Sequence, residues 1–413
     1  MTTDATLDLS HQAQALDEAD PLAALRNRFA PMPGVTAYLD GNSLGRPLVG
    51  TAEKLADFVR HDWGTRLIRS WDEQWMALPE KLGNHIARTC LGAASGQTIV
   101  AESTSIVLYK LMRAALDHRP AGRDEVIIER GNFPTDRFLL EGIAQETGCR
   151  IVWVDSGDAT GATAITTTDL EPLVSPATAL VVLSHVDYRS GAIADMPAIT
   201  TQAHAAGALV LWDLCHSVGA LDLQLDTHGV DMAVGCTYKY LCGGPGSPAF
   251  GYLAERHHGT LQQPIYGWWG AADIFAMADS YTPAPGIRQM LSGTPPVTSM
   301  LAVGDMLDLI DEAGMPALRT KSLSLTAFAV DAWRGLLQPL GVRLLSPTEA
   351  DKRGSHITIG HPDFRRVTAG LWQEGVIPDF RNPDGIRLGL SPLSTSHREV
   401  LDGVTAIARH LAA

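Results

Sequence analysis

A series of short apolar runs, each closing on a polar or reactive residue, governs what this chain can become: EVIIE (125–129), RIVWVD (150–155), ALVVLS (179–184), ALVLWD (208–213) and DMAVGC (231–236). Helix-length segments separate several of them, including RFLLEGIAQETG (137–148) and PAITTQAHAAG (197–207). Strands of this length alternating with helices of ten or more residues imply βαβ crossovers and a mostly parallel sheet. In such sheets the ligand site lies in the loops at the carboxyl ends of the strands. The polar residues just past each run are therefore where chemistry is to be sought.

Upstream, LAALRNRFA (22–30) reads as a helix, AYLD (37–40) as a short strand before the turn GNSLGRP (41–47), and QTIVAES (97–103) as a strand opening into the helix SIVLYKLMRAAL (105–116). SGDATGATAITTTDL (156–170) reads as a polar connection, and 259–298, rich in Gly, Pro and aromatics, as an irregular excursion of the kind that is functional or interfacial. From about residue 310 helices alternate with the short strands VRLLS, SHITIG and GIRLGL, which suggests a smaller α+β domain. With 413 residues the expected division is an N-terminal segment (1–60) partly packing with the small domain, a large domain (61–310) and a small C-terminal domain (311–413).

Composition narrows the partners. The 32 basic and 46 acidic residues give a net charge of −14, which opposes phosphate backbones and anionic lipid, so neither nucleic acid nor a membrane is expected. The N-terminal MTTDATLDLSHQAQALDEAD is acidic and polar, unlike a signal peptide, and the apolar runs fall far short of a membrane span. Five cysteines without CxxC spacing read as reduced thiols of a cytoplasmic protein. No metal-binding pattern, P-loop or nucleophile elbow is present, and His257-His258 is expected at the surface.

Lys239 stands between two tyrosines in TYKYLCGGPGS (237–247), at the end of an otherwise apolar run. It either snorkels its ammonium to solvent or is a desolvated amine of the Schiff-base type. Asp213 ends the preceding strand, where it caps a helix or pairs with a buried cation such as a pyridinium N–H. Ser103-Thr104-Ser105 before a helix is an ordinary N-cap or a phosphate cup. NFPTD sets Phe133 and Asp136 after the strand EVIIE, as a plain turn or as a stacking ring and an acid. Arg387 in GIRLGLSP is an edge-strand cation or a planar fork for a carboxylate.

Taken together, YLDGNSLGRP (38–47), IRSW (68–71), NFPTD (132–136), WDLCHSVGA (212–220), GCTYKYLCGGPGS (235–247), GWWG (267–270), GTPPVTS (293–299), KRGSH (352–356) and IRLGLSPL (386–393) resemble the kynureninase family. The resemblance implies a fold-type I, class V pyridoxal-phosphate enzyme: an α/β fold with a mostly parallel seven-stranded sheet, a smaller α+β domain, and a homodimer with composite active sites. It implies that Lys239 binds the pyridoxal 5'-phosphate aldehyde, Asp213 its ring nitrogen and Phe133 its ring face. Thr104, Ser105 and Tyr238 would take the phosphate, with Asp136, Ser184 and His216 as further cofactor contacts. Trp268 and Thr294 would enter from the partner subunit, Arg387 would hold the substrate carboxylate, and Trp71 and Trp269 would shape the aryl pocket. The implied reaction is hydrolysis of L-kynurenine to anthranilate and L-alanine, with Tyr238 as an acid or proton relay. The chain departs from the family pattern at Ser394 and Cys242, and the first, at the substrate end of the pocket, leaves a ring-substituted substrate such as 3-hydroxykynurenine open. Another class V enzyme, of cysteine desulfurase or aminotransferase type, or a catalytically silent dimer of this fold are the alternatives.

Overall fold

The computed structural model describes residues 3–158 and 162–412. Its strands are β1 (Ala37–Leu39), β2 (Thr98–Ala101), β3 (Glu125–Glu129), β4 (Arg150–Val154), β5 (Thr178–Ser184), β6 (Leu209–Asp213), β7 (Met232–Cys236), β8 (Ala249–Leu253), β9 (Arg343–Leu344), β10 (His356–Gly360), β11 (Val376–Arg381) and β12 (Gly385–Gly389). Seven form one sheet in the order β2-β8-β7-β6-β5-β3-β4. The pairs from β7 through β4 are parallel, while β8 runs antiparallel to both β7 and β2. Every residue of β2, β5, β6 except its first, β7 and β8 is buried. Helices lie on both faces, which is why these strands are continuous apolar runs rather than alternating ones.

The sequence expectation of a mostly parallel seven-stranded sheet in an α/β chain is met. AFGYL, in β8, gave no separate signal because it follows the glycine-rich turn and its reversal comes from pairing with β2. The polar connection 156–170 includes 159–161, which lie outside the described residues; beyond them a single helical turn, Thr167–Leu170, is closed by a Thr166/Asp169 capping box. LAALRNRFA forms only a short 3₁₀ turn, Ala23–Arg28, and the acidic N-terminus forms a helix, Thr3–Glu18.

The second sheet has the order β1-β11-β12-β10-β9, with β1 parallel to β11 and the other pairs antiparallel. One apolar core joins it to the helices Met315–Ala332, Phe364–Gln373 and His397–Ala412, and Leu9 and Ala13 of the N-terminal helix belong to that core. The N-terminal helix is also tied by Asp17, which accepts from the backbone N–H of His397 and Arg398 at 2.9 and 3.0 Å. Lys321, almost fully buried, reaches Asp20 at 2.7 Å. Arg387 therefore sits on β12, a central strand, and not on an edge. His257 and His258 are half-buried rather than at the surface: His257 Nε2 lies 2.7 Å from the buried Asp231, and His258 Nε2 lies 3.1 Å from the Leu253 carbonyl. Among the described residues no helix is long and apolar enough to cross a membrane.

Candidate active site

The direction of the large sheet brings the carboxyl ends of β2, β3, β5, β6 and β7 to one edge, and each delivers a polar group there. Ser184 and Asp213 are register partners across β5 and β6, and Asp213 pairs with Val234 on β7. Two residues beyond the end of β7 the chain turns through Tyr238 and Lys239. One cavity at this edge is lined by Thr104, Ser105, Phe133, Asp136, Ser184, Asp213, His216, Tyr238 and Lys239, together with Thr135, Tyr188 and Cys215.

Local structure explains each placement. Ser103 caps the helix Thr104–Asp117, so the backbone N–H groups of Thr104 and Ser105 stand at its positive end. Pro134 opens the next helix, Pro134–Thr147, holding Phe133 just outside it and turning Asp136 inward. Asp213 accepts from the Cys215 N–H at 2.7 Å, a local turn that keeps its carboxylate at the strand end rather than capping a helix. The Lys239 turn is packed backbone to backbone against the loop after β1. The Gly45 N–H donates to the Tyr238 carbonyl at 2.8 Å, and a Cβ on Gly45 would stand 2.1 Å from the Lys239 carbonyl oxygen.

The electrostatics converge on this cavity. Lys239 Nζ lies 3.2 Å from His216 Nε2. Burial, then the charges of Lys239 and Arg387, holds the His216 imidazole well below its ordinary pKa, so it is neutral. Burial, then Asp213 and Glu129, pushes the Asp136 carboxyl well above the usual range, and its Oδ2 has no hydrogen-bond partner. Burial, then Asp187, does the same to Glu129, whose Oε1 accepts from the Ser184 N–H at 3.0 Å. Asp136 and Asp213 beside Lys239, with Glu129 close behind Asp136, form an environment built for a cationic or hydrogen-bond-donating group. Burial also pushes the Tyr238 phenol far above its ordinary value. The Phe133 ring is 39% exposed and meets Tyr188 edge-on at 5.4 Å.

Arg387 reaches this edge from the second sheet. Its Nη1 donates to the carbonyl of Tyr188, a residue of the cavity wall, at 2.7 Å. The remaining sequence candidates do not join the Lys239 cavity within the chain. Trp71, Trp268, Trp269 and Thr294 line a separate apolar pocket with Ile68, Met76 and Phe275. Trp71 and Trp269 are 5.0 Å apart, and Trp268 is 45% exposed. Trp71 and Thr294 also border a larger cavity of about 930 Å³ that runs past Leu44, Phe58 and Cys242. Its apolar lining lacks converging charges, so we assign the chemistry to the smaller cavity. Cys242 is buried with φ of 50°, in the turn after Lys239 rather than on a mobile loop.

Several residues of the site carried no sequence prediction. Glu129, which ends β3, and Asn132, the first residue of NFPTD, could have been flagged from their positions; in the structure Ser184 Oγ donates to Asn132 Oδ1 at 2.9 Å. Asp379 and Tyr188 had no local signal at all, and Ser43 none beyond its place in the turn GNSLGRP; they matter because Arg387 contacts all three.

The comparisons with known proteins agree with this geometry. The model "Kynureninase C-terminal domain" matches residues 318–407, and "DegT/DnrJ/EryC1/StrS aminotransferase family" matches 95–229. Among solved structures, a C-DES mutant with glycine covalently linked to the PLP-cofactor superposes with a TM-score of 0.80 at 17% identity, covering 93% of this chain and 98% of that one. The cysteine desulfurase CsdA of Escherichia coli superposes with a TM-score of 0.79 at 18% identity, over 95% and 98%. These likenesses concern the fold. A curated relative named kynureninase from Pseudomonas fluorescens is 40% identical over 96% of this chain and 94% of its own length. Another, from Deinococcus radiodurans, is 41% identical over 97% and 96%. With identity of 40–41% over nearly the whole of both chains, the chain belongs to the kynureninase family.

Proposed function

We propose that this protein hydrolyses L-kynurenine, or a ring-substituted kynurenine such as 3-hydroxykynurenine, to anthranilate or its substituted analogue and L-alanine, using pyridoxal 5'-phosphate. The observation that carries the reading is one cavity holding Lys239, Asp213, the unpartnered Asp136 carboxylate oxygen and a helix N-terminus. That donor set fits the cofactor group by group. An amine suits its aldehyde, an acid its ring N–H, and free backbone N–H groups with the hydroxyls of Thr104, Ser105 and Tyr238 suit its phosphate. Phe133 covers the ring face, and Asp136, Ser184 and His216 complete the surround.

When bound, pyridoxal 5'-phosphate supplies an aldehyde for the substrate amine and a protonated ring that draws electrons from Cα. The chain does the rest. Arg387 holds the substrate α-carboxylate, and Lys239 moves the Cα proton. Tyr238, whose phenol stays protonated, gives a proton toward Cβ. In the net hydrolysis the Cβ–Cγ bond breaks, the water oxygen ends in the anthranilate carboxylate and a proton ends on Cβ of alanine. Trp71 and Trp269 form the aryl side of the pocket. Trp268 and Thr294, which lie outside the chain's own Lys239 cavity, are supplied across a homodimer interface. The protein acts in the cytoplasm on a small amino acid, with 1–60 an N-terminal segment partly packing with the small domain, 61–310 forming the cofactor-binding domain and 311–413 the small one.

Purified protein with added cofactor should show a visible absorption that borohydride fixes on Lys239, and L-kynurenine should then release fluorescent anthranilate. Colour with no anthranilate from any kynurenine, or sulfide release from L-cysteine instead, refutes the assignment. Protein that stays colourless refutes the cofactor itself.

A further inference from the structure

Arg387 is fully buried and heavily engaged. Its Nε donates to Asp379 Oδ2 at 2.6 Å, its Nη1 to the Tyr188 carbonyl at 2.7 Å and its Nη2 to Ser43 Oγ at 2.9 Å, while Nη2 also pairs with Asp379. Of the five N–H donors of a guanidinium, one on Nη1 is left. Asp379 is the direct cross-strand partner of Arg387, so this ion pair is built into the sheet. A guanidinium neutralised by its own half-buried carboxylate attracts a second carboxylate weakly.

The same Asp379 oxygen also accepts from Arg381 Nε at 2.7 Å. Arg381 lies two residues along β11 and hence on the same face. Two guanidinium groups on one carboxylate leave one positive charge uncommitted. Asp40 is the other acid here: its Oδ1 has no hydrogen-bond partner, and it feels Asp379, Arg387 and Arg381, with Ser43, Tyr38 and Tyr240 also close enough to interact. With Asp40 ionised, two cations balance two anions around the Arg387 fork. Without Arg381 the cluster would be negative before any substrate arrived.

We propose that Arg381 is a positioning residue for substrate recognition, sharing Asp379 with Arg387 so that the Arg387 charge is reserved for the α-carboxylate of the amino-acid substrate. This rests on the reading of Arg387 as the carboxylate clamp. Arg381 makes its ion pair with Asp379, and its side chain is 39% exposed, so replacing it opens no buried cavity.

Holoenzyme of the wild type, Arg381→Gln and Arg381→Lys is titrated calorimetrically with L-alanine and with L-alaninamide. The glutamine variant should bind L-alanine about tenfold more weakly, a change of ~1.4 kcal/mol. It should bind the uncharged amide within about twofold of wild type, and lysine should restore most of the L-alanine affinity. With L-kynurenine, KM should rise by a similar factor while kcat holds. Unchanged L-alanine binding, equal loss of both ligands, or a lysine variant as weak as the glutamine one overturns the proposal. So does wild-type protein that fails to prefer the carboxylate over the amide. If the wild type cleaves no kynurenine, the reaction assignment fails, and the alanine comparison still decides the role of Arg381.

Discussion

Replacing Lys110 by Met probes how the fold holds the loop that presents Thr104 and Ser105. Lys110 is fully buried on the helix Thr104–Asp117, where it donates to Glu102 Oε1 at 2.9 Å and to the Met290 carbonyl at 2.8 Å. Glu102 sits at φ of 52°, a left-handed conformation that costs a non-glycine residue about 1–2 kcal/mol. Lys110 is one of the groups that keep it there. Methionine fills the same space without charge. The lost Met290 partner costs about 1–2 kcal/mol. The Glu102 pair, with its carboxylate 27% exposed, adds about 1 kcal/mol at most. Removing a buried ammonium returns a comparable amount. Net stability should therefore change by no more than about 2 kcal/mol. Once released, Glu102 relaxes, and a bound phosphate must re-form the strained loop. Cofactor affinity should fall by the strain restored, about 1–2 kcal/mol, or a factor of roughly 5–30. Titration with pyridoxal 5'-phosphate, followed by its visible absorption, measures the affinity, and thermal unfolding of cofactor-free protein measures the stability. An affinity within twofold of wild type, whatever the melting temperature does, refutes the coupling.

Gly45→Ala forces a methyl against the Lys239 carbonyl and Cys242 Sγ, so it should lower the unfolding free energy measured in urea by ~1–3 kcal/mol and weaken the visible cofactor band together. A folded, fully coloured Gly45→Ala enzyme would contradict the backbone packing. Burial alone would raise the Asp231 carboxyl, but hydrogen bonds from His204, His257 and the Val210 N–H hold it well below the usual range. Its stabilisation is thus present above the unfolded-state pKa near 3.9 and is lost as pH falls below it. Asp231→Asn should melt several degrees lower at pH 7, with the gap narrowing toward pH 3; a gap that widens in acid would be inconsistent. Burial and then Asp379 push Asp40 up to about 6. Its ionisation adds negative charge beside Arg387, so KM should climb with pH through about 6 and become flat in Asp40→Asn. The same variant should be more stable than wild type at pH 8, because a carboxyl harder to ionise in the folded state costs stability as pH rises from ~4 to ~6.

Much of the site was legible in the chain because its logic is local along each strand. An apolar run that ends in a lone Asp213, or turns through Tyr238 and Lys239, marks a carboxyl edge without any knowledge of its neighbours. Parallel β3, β5, β6 and β7 then had to bring those ends together. The second sheet was less readable. VIPDFR, now β11, carries Pro378 and two charged residues, and by itself looks like a solvated turn. Its pairing with β1 and β12 makes it a strand and turns Asp379 and Arg381 toward Arg387.

The alternation of strands and helices in the large domain, the parallel sheet and the placing of Lys239 and Asp213 at strand ends were determined by the sequence alone, because periodicity and strand-end polarity act over a few residues. The tertiary structure alone decided that Arg387 is shared with Asp379, Tyr188 and Ser43, that Asp136 is a buried acid with an unsatisfied oxygen, and that Trp268 and Thr294 stand outside their own Lys239 cavity. Those relations join residues far apart in the chain, through sheet register and the burial of charge, and no local pattern encodes either.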